Sequence, residues 1–175
     1  MERKLEQRDV TGYLPYDLKM YAGKIEGTEL IYPVLGLRNG GRILTYVNGE
    51  DEANGEIFMN IKQYNLRPIL RPESDMYRTI THNGEEIIPI VELARIAFPE
   101  RKWKTEINVI AMDDGYTHFG YCENGFYARF DEDIEDVTCQ YQLFDCMNSL
   151  LIDYRGLIDA GLAVSVYDLD TNPYK

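Results

Sequence analysis

The sequence predicts an α+β fold: antiparallel β meanders packed against a long C-terminal helix and one shorter central helix. Three observations predict it. Short alternating apolar segments, punctuated by Gly, Asn and Asp, fill much of residues 18–60 and 105–130. Tyr is abundant, at 14 residues, and together with β-branched residues it favours strands. The run Cys139–Ala163 carries the strongest helical apolar periodicity in the chain. Strands cluster and helices follow, which is the α+β pattern rather than alternating βαβ units.

Each element follows in order. Residues 1–17 are a polar lead, in which Pro15 holds Leu14 extended and excludes a helix. Strands are expected over Leu18–Ala22 and Glu29–Arg38, with Pro33 marking an edge or a bulge. Asn39-Gly40-Gly41 is a hairpin turn, because Asn and Gly take positive φ at little cost. Arg42–Val47 returns, Asn48–Asn54 is an acidic loop, and Gly55–Met59 is a fourth strand. Residues 61–79 form a connector. Ile61–Tyr64 makes one helical turn, and the prolines at 68 and 72 keep Leu66–Pro72 extended and stiff. Ser74 or Asp75 caps a short helix through Arg78. Asn83-Gly84 is a further turn. Pro89 opens the central helix, whose Ile90, Leu93, Ala94 and Ala97 share one face, and Pro99 ends it. Thr105–Met112, Tyr116–Cys122 and Phe126–Phe130 read as a three-stranded meander turning at Asp114-Gly115 and Asn124-Gly125. The chain is thus a single domain, divisible at most into a β-rich lobe (1–60) and a lobe of meander plus helices (80–175), joined by 61–79.

The long helix rests on a stripe of Leu143, Met147, Leu150 and Tyr154, flanked by Phe144, Leu151 and Ile158. Thr138 suits its N-cap, and the acidic run 131–136 suits the positive end of its dipole. Interior glycine costs ~1 kcal/mol against alanine. Gly156 therefore favours two helical pieces over one long helix, the second beginning at Asp153 and stopping at Gly161. Val164–Tyr167 alternates as a closing strand.

Composition bounds the function. Thirty acidic against 18 basic residues leave a net charge of −12, which repels nucleic acid phosphate and anionic membrane. No apolar run approaches the ~20 residues of a membrane span. The start, MERKLEQRDV, has no apolar core of a secretory signal. Cys122, Cys139 and Cys146 are odd in number and widely spaced. They are read as reduced thiols of a cytoplasmic protein, with no metal and no cofactor.

No phosphate-binding loop, nucleophile elbow, H-E-x-x-H or C-x-x-C occurs. The acidic run from Asp131 has neither Gly at its sixth position nor Glu at its twelfth, so it is not a calcium loop. Asp113, Asp114 and His118 lie on one expected hairpin and are the one group that could converge for acid–base work. Arg67 and Arg71 are read as partners of the many carboxylates rather than as an anion site.

Four stretches occur together in order: Tyr13-Leu-Pro-Tyr16 with Leu18-Lys19; Leu70-Arg-Pro with Ser74-Asp75; Asn83-Gly-Glu with Pro89-Ile and Glu92-Leu93; and Asp153–Ala163 with Asn172-Pro-Tyr174. In these the chain resembles a group of uncharacterised proteins encoded by phages and prophages of gut bacteria. Where members of that group often carry Gly, this chain has Asp17. The resemblance implies a small cytoplasmic accessory protein of a mobile element and brings no catalytic residue with it. Three functional expectations follow. The first is a non-enzymatic acidic protein acting by protein–protein contact, with Tyr13, Tyr16 and Tyr21 on an exposed edge as its binding residues. The second is an enzyme centred on Asp113, Asp114 and His118. The third is a nucleic-acid mimic, which would need carboxylates in rows at phosphate-like spacing.

Overall fold

The computed structural model describes residues 3–47, 55–106, 109–112, 117–123, 125–131 and 133–174. The chain is mostly β, about 40% strand, and divides into two compact units. One comprises Met1–Glu73 with Leu151–Pro173, the other Ser74–Leu150 with Tyr174–Lys175.

The first unit opens with α1 (Gln7–Val10) and a 3-10 helix over Thr11–Tyr16. Asp9 and Glu6 form a reciprocal capping box, in which the Glu6 amide donates to Asp9 Oδ2 at 2.9 Å. Pro15 lies inside the 3-10 helix, correcting the expectation of an extended segment. Its fixed φ suits a helical turn, and the turn ends at once, at Asp17 with φ +55°.

β1 (Lys19–Ile25) and β2 (Thr28–Pro33) form a hairpin. Glu26 and Gly27, at φ +50° and +86°, make the two-residue turn whose twist matches antiparallel strands. The expected strand Glu29–Arg38 is broken. Pro33 ends β2, and β3 (Gly36–Arg38) joins a separate sheet with β4 (Arg42–Tyr46) and β5 (Glu56–Asn60), in the order β3-β4-β5. The Asn39-Gly40-Gly41 turn joins β3 to β4 as expected.

β6 (Arg67–Pro72), within the expected connector, is the central strand of the larger sheet. One edge pairs antiparallel with β1, through Met20↔Pro68 and Tyr21↔Arg67. The other edge takes two short strands in parallel. β15 (Val164–Ser165) lies against Ile69–Leu70, and β14 (Ile152–Asp153) lies against Arg71–Pro72. The two prolines sit near the ends of β6, where few ladder bonds are lost.

β14 explains why no long C-terminal helix exists. α3 spans only Gln140–Ser149, and at 10 residues it is the longest helix among the described residues. Leu151 turns left-handed at φ +58°, and its carbonyl accepts the Arg71 amide at 2.8 Å. Leu150, Leu151 and Ile152 are all buried. Three consecutive buried side chains cannot share one helix face, so a strand crossing the core suits them better. The expected second helix is also absent. Residues 154–163 are hydrogen-bonded turns, organised by the Asp153 carboxylate, which accepts from the amides of Arg155, Leu157 and Ile158. The closing strand is present but parallel and only two residues long.

The second unit begins with a short 3-10 helix (Glu73–Tyr77, from the end of the first unit) and the β7–β8 hairpin (Ile80–His82, Glu85–Ile87). Asn83-Gly84 turns it at φ +51° and +80°. α2 (Pro89–Ala97) has Pro at its first position and buries Ile90, Leu93 and Ala94, as the periodicity predicts; Val91 is buried as well, and Ala97 is only half-buried. β9 (Trp103–Glu106), β10 (Val109–Met112), β11 (Thr117–Cys122), β12 (Gly125–Phe130) and β13 (Asp133–Asp136) form an antiparallel sheet in chain order.

Two expectations are corrected in this sheet. Thr105–Met112 is not one strand but parts of β9 and β10, paired Glu106↔Val109. The acidic run is not a helix lead but the edge strand β13, folded back by Asp131 at φ +53°. Charge on such an edge discourages pairing with other chains. The Asp114-Gly115 and Asn124 turn positions lie outside the described residues.

α3 packs on this sheet, as expected of the helix that follows it. Phe144 lies 5.5 Å from the Phe126 ring and 6.3 Å from Tyr121, while Leu143 and Met147 are fully buried. Thr138 is not its cap. Cys139 holds that position without a side-chain bond. The entry is instead clamped by Gln140, whose side chain accepts from the Phe126 amide and donates to its carbonyl.

Candidate functional site

The three tyrosines of the expected contact edge do not form one surface. Tyr13 is fully buried, and its hydroxyl donates to the Ile152 carbonyl at 3.0 Å. Tyr16 and Tyr21 are half-buried, and the Tyr21 ring lies under Arg67 at 5.6 Å. β1 is not an edge at these residues, because β2 and β6 flank Met20 and Tyr21.

His118 is half-buried on β11, opposite Ala111 and Arg129. Asp113 and Asp114 lie outside the described residues. Among the described residues no group of three or more His, Cys, Asp or Glu side chains is placed to hold a metal ion.

The cysteines are free thiols, with Cys122 exposed and Cys139 and Cys146 half-buried. Burial pushes the Cys146 thiol up to about 11, against the opposing effect of its hydrogen bond with Ser149. A thiol reacts as its thiolate, so Cys146 is expected to resist iodoacetamide at about pH 8 while the exposed Cys122 is alkylated first. Peptide mapping by mass spectrometry over time checks this; faster labelling of Cys146 would contradict it.

The feature best suited to recognition is the outer face of the β3-β4-β5 sheet. Side chains alternate across a strand, and the register sorts them into two sets. Ile43, Thr45 and Met59 are buried on one face. The opposite face carries Arg42, Leu44 and Tyr46 from β4, Glu56, Phe58 and Asn60 from β5, and Arg38 from β3. Phe58 is 44% exposed, and the Arg38 guanidinium sits 5.2 Å over its ring. Ile57, turned the other way on the same strand, is also exposed. β5 is an edge strand, with no further strand paired to it among the described residues.

Sequence reasoning located these strands but not this face. Both alternation sets contain apolar residues, so the pattern alone does not say which is covered. The available signal was composition: exposed Arg and aromatic residues are the types that concentrate in protein interfaces, and here they stand on a chain that is otherwise acidic.

No family model, curated protein or solved structure matches the chain. Among the described residues no helix is long and apolar enough to cross a membrane.

Proposed function

We propose that the protein is non-catalytic and acts by contact with another protein, in the cytoplasm, through the outer face and open edge of the β3-β4-β5 sheet. The single observation that carries this reading is the Arg38–Phe58 pair, in which Arg38 of β3 reaches across β4, past Leu44 and Arg42, to the exposed ring on the edge strand β5. An aromatic ring with a polar rim is the usual anchor of a protein contact. A strand with an open edge can add a partner's extended segment by backbone pairing. The two arginines set the partner's chemistry: an apolar segment flanked by carboxylates. Nucleic acid is a poor occupant, since the chain's net charge of −12 opposes a long polyanion.

Site-specific photocrosslinking tests this. A photoreactive residue at position 58, in a host-type bacterial lysate, should yield a discrete adduct that Arg38→Glu abolishes. The same group at Ile134, exposed on β13, should not yield it. Identical adducts from both positions, none at position 58, or an adduct made only of two copies of this chain would overturn the reading.

A further inference from the structure

The first unit contains a cavity of about 290 Å³ whose charge is the reverse of the chain's. Arg3, Lys4, Lys62 and Arg67 line it, with apolar Leu5 and Leu66, and no acidic side chain does. In a chain with 30 acidic and 18 basic residues, four cations without a carboxylate are not the expected sampling of the surface. Two distant stretches supply them. Arg3 and Lys4 precede α1, while Lys62 and Arg67 bracket the tight turn that leads into β6. Burial of Leu5, Ile61 and Leu66 fixes both stretches in place.

Arg3 is already committed, to Asp9 Oδ1 at 3.2 Å and to the Arg155 carbonyl. The other three are not. Among the described residues no carboxylate lies within ion-pair distance of Lys4, Lys62 or Arg67. The Arg67 Nε is buried without an acceptor, and the guanidinium is held against the Tyr21 ring. Stacking of this kind orients a guanidinium and leaves its fork of donors available.

The geometry points to this cavity as a binding site for a small organic phosphate. Three uncommitted cations are not balanced by a monocarboxylate. A phosphate monoester carries close to two charges at neutral pH and three acceptor oxygens, and it matches an arginine fork flanked by lysines. The phosphate fills only part of the cavity, so an uncharged body attached to it lies against Leu5 and Leu66. A second cavity of about 330 Å³ shares Leu5, Ile61 and Lys62 and reaches Gly40-Gly41; Glu6 also lines it, so it gives room only to a longer uncharged body and not to a second phosphate. A polyanion fits less well, because any length beyond the cavity meets a surface of net negative charge. Arg67, read from the sequence as a partner of carboxylates, thus faces a ligand instead.

Calorimetric titration of the intact protein with phenyl phosphate, inorganic phosphate and benzoate tests each part. Phenyl phosphate should bind at least roughly tenfold tighter than either of the others. Lys62→Gln, an exposed substitution that leaves the core untouched, and Arg67→Met should each weaken it by roughly tenfold. Benzoate binding as tightly as phenyl phosphate would overturn the requirement for a dianion. Inorganic phosphate binding as tightly would overturn the organic body. No binding, or binding unchanged in both variants, would overturn the site.

Discussion

Asp153→Ala should destabilise the first unit by ~3–5 kcal/mol. Asp153 is almost fully buried, and its carboxylate is the acceptor for three backbone amides: Oδ1 takes Leu157 at 2.9 Å and Arg155 at 3.3 Å, and Oδ2 takes Ile158 at 2.7 Å. Each buried amide that loses its acceptor costs ~1–3 kcal/mol. The loss reaches the sheet, because Asp153 is also the residue of β14 opposite Pro72. Asp153→Asn keeps one oxygen for Leu157 and Arg155 and presents an NH2 group to the Ile158 amide, so it should fall between the wild type and alanine. Urea unfolding followed by far-UV circular dichroism measures both. A loss for Asp153→Ala below about 1 kcal/mol would show that water replaces the carboxylate without penalty.

Phe119→Ala should destabilise the second unit by a similar amount, ~3–5 kcal/mol, the usual cost of deleting a buried phenyl ring. Phe119 is fully buried, stacked on Phe126 at 5.7 Å and met edge-on by Trp103 at 6.0 Å and Phe98 at 6.3 Å. Three aromatic rings therefore lose their common neighbour. Trp103 is the only tryptophan in the chain, so its fluorescence reports this core directly. The emission of Phe119→Ala should shift to longer wavelength at lower urea than that of the wild type. Phe119→Leu, which keeps most of the volume, should lose less than half as much. Equal stability of Phe119→Ala and the wild type would mean that the ring is not part of the core that Trp103 reports.

The elements that were legible in the sequence are those set by a few adjacent residues. Asn83-Gly84 and Asn39-Gly40-Gly41 turn where expected, because positive φ is a local requirement that Asn and Gly meet. α2 was legible because Pro89 and the spacing of Ile90, Leu93 and Ala94 act within a single helix. The Glu26-Gly27 turn was missed although it uses the same chemistry; Glu is an uncommon residue at positive φ, and the pair did not stand out as a turn. The candidate surface was legible only as strands. The cationic cavity was not legible at all, since its members lie some 60 residues apart in sequence and converge only once the apolar residues beside them are buried.

The sequence by itself determined the β-rich character of residues 18–60 and 105–130, the place of α2, the hairpin turns and a net charge unfavourable to phosphate polymers. The tertiary structure decided what becomes of the run Cys139–Ala163. Its apolar spacing is compatible with one helix, two helices, or a helix followed by strands, because the pattern alone does not say where the helix stops. The free edge of β6 selects among them. The buried Arg71 amide needs an acceptor, and Leu151 supplies it only by leaving the helix. That bond joins residues 80 positions apart, so no local propensity contains it; it exists only when β6 and the C-terminal run meet in the folded unit.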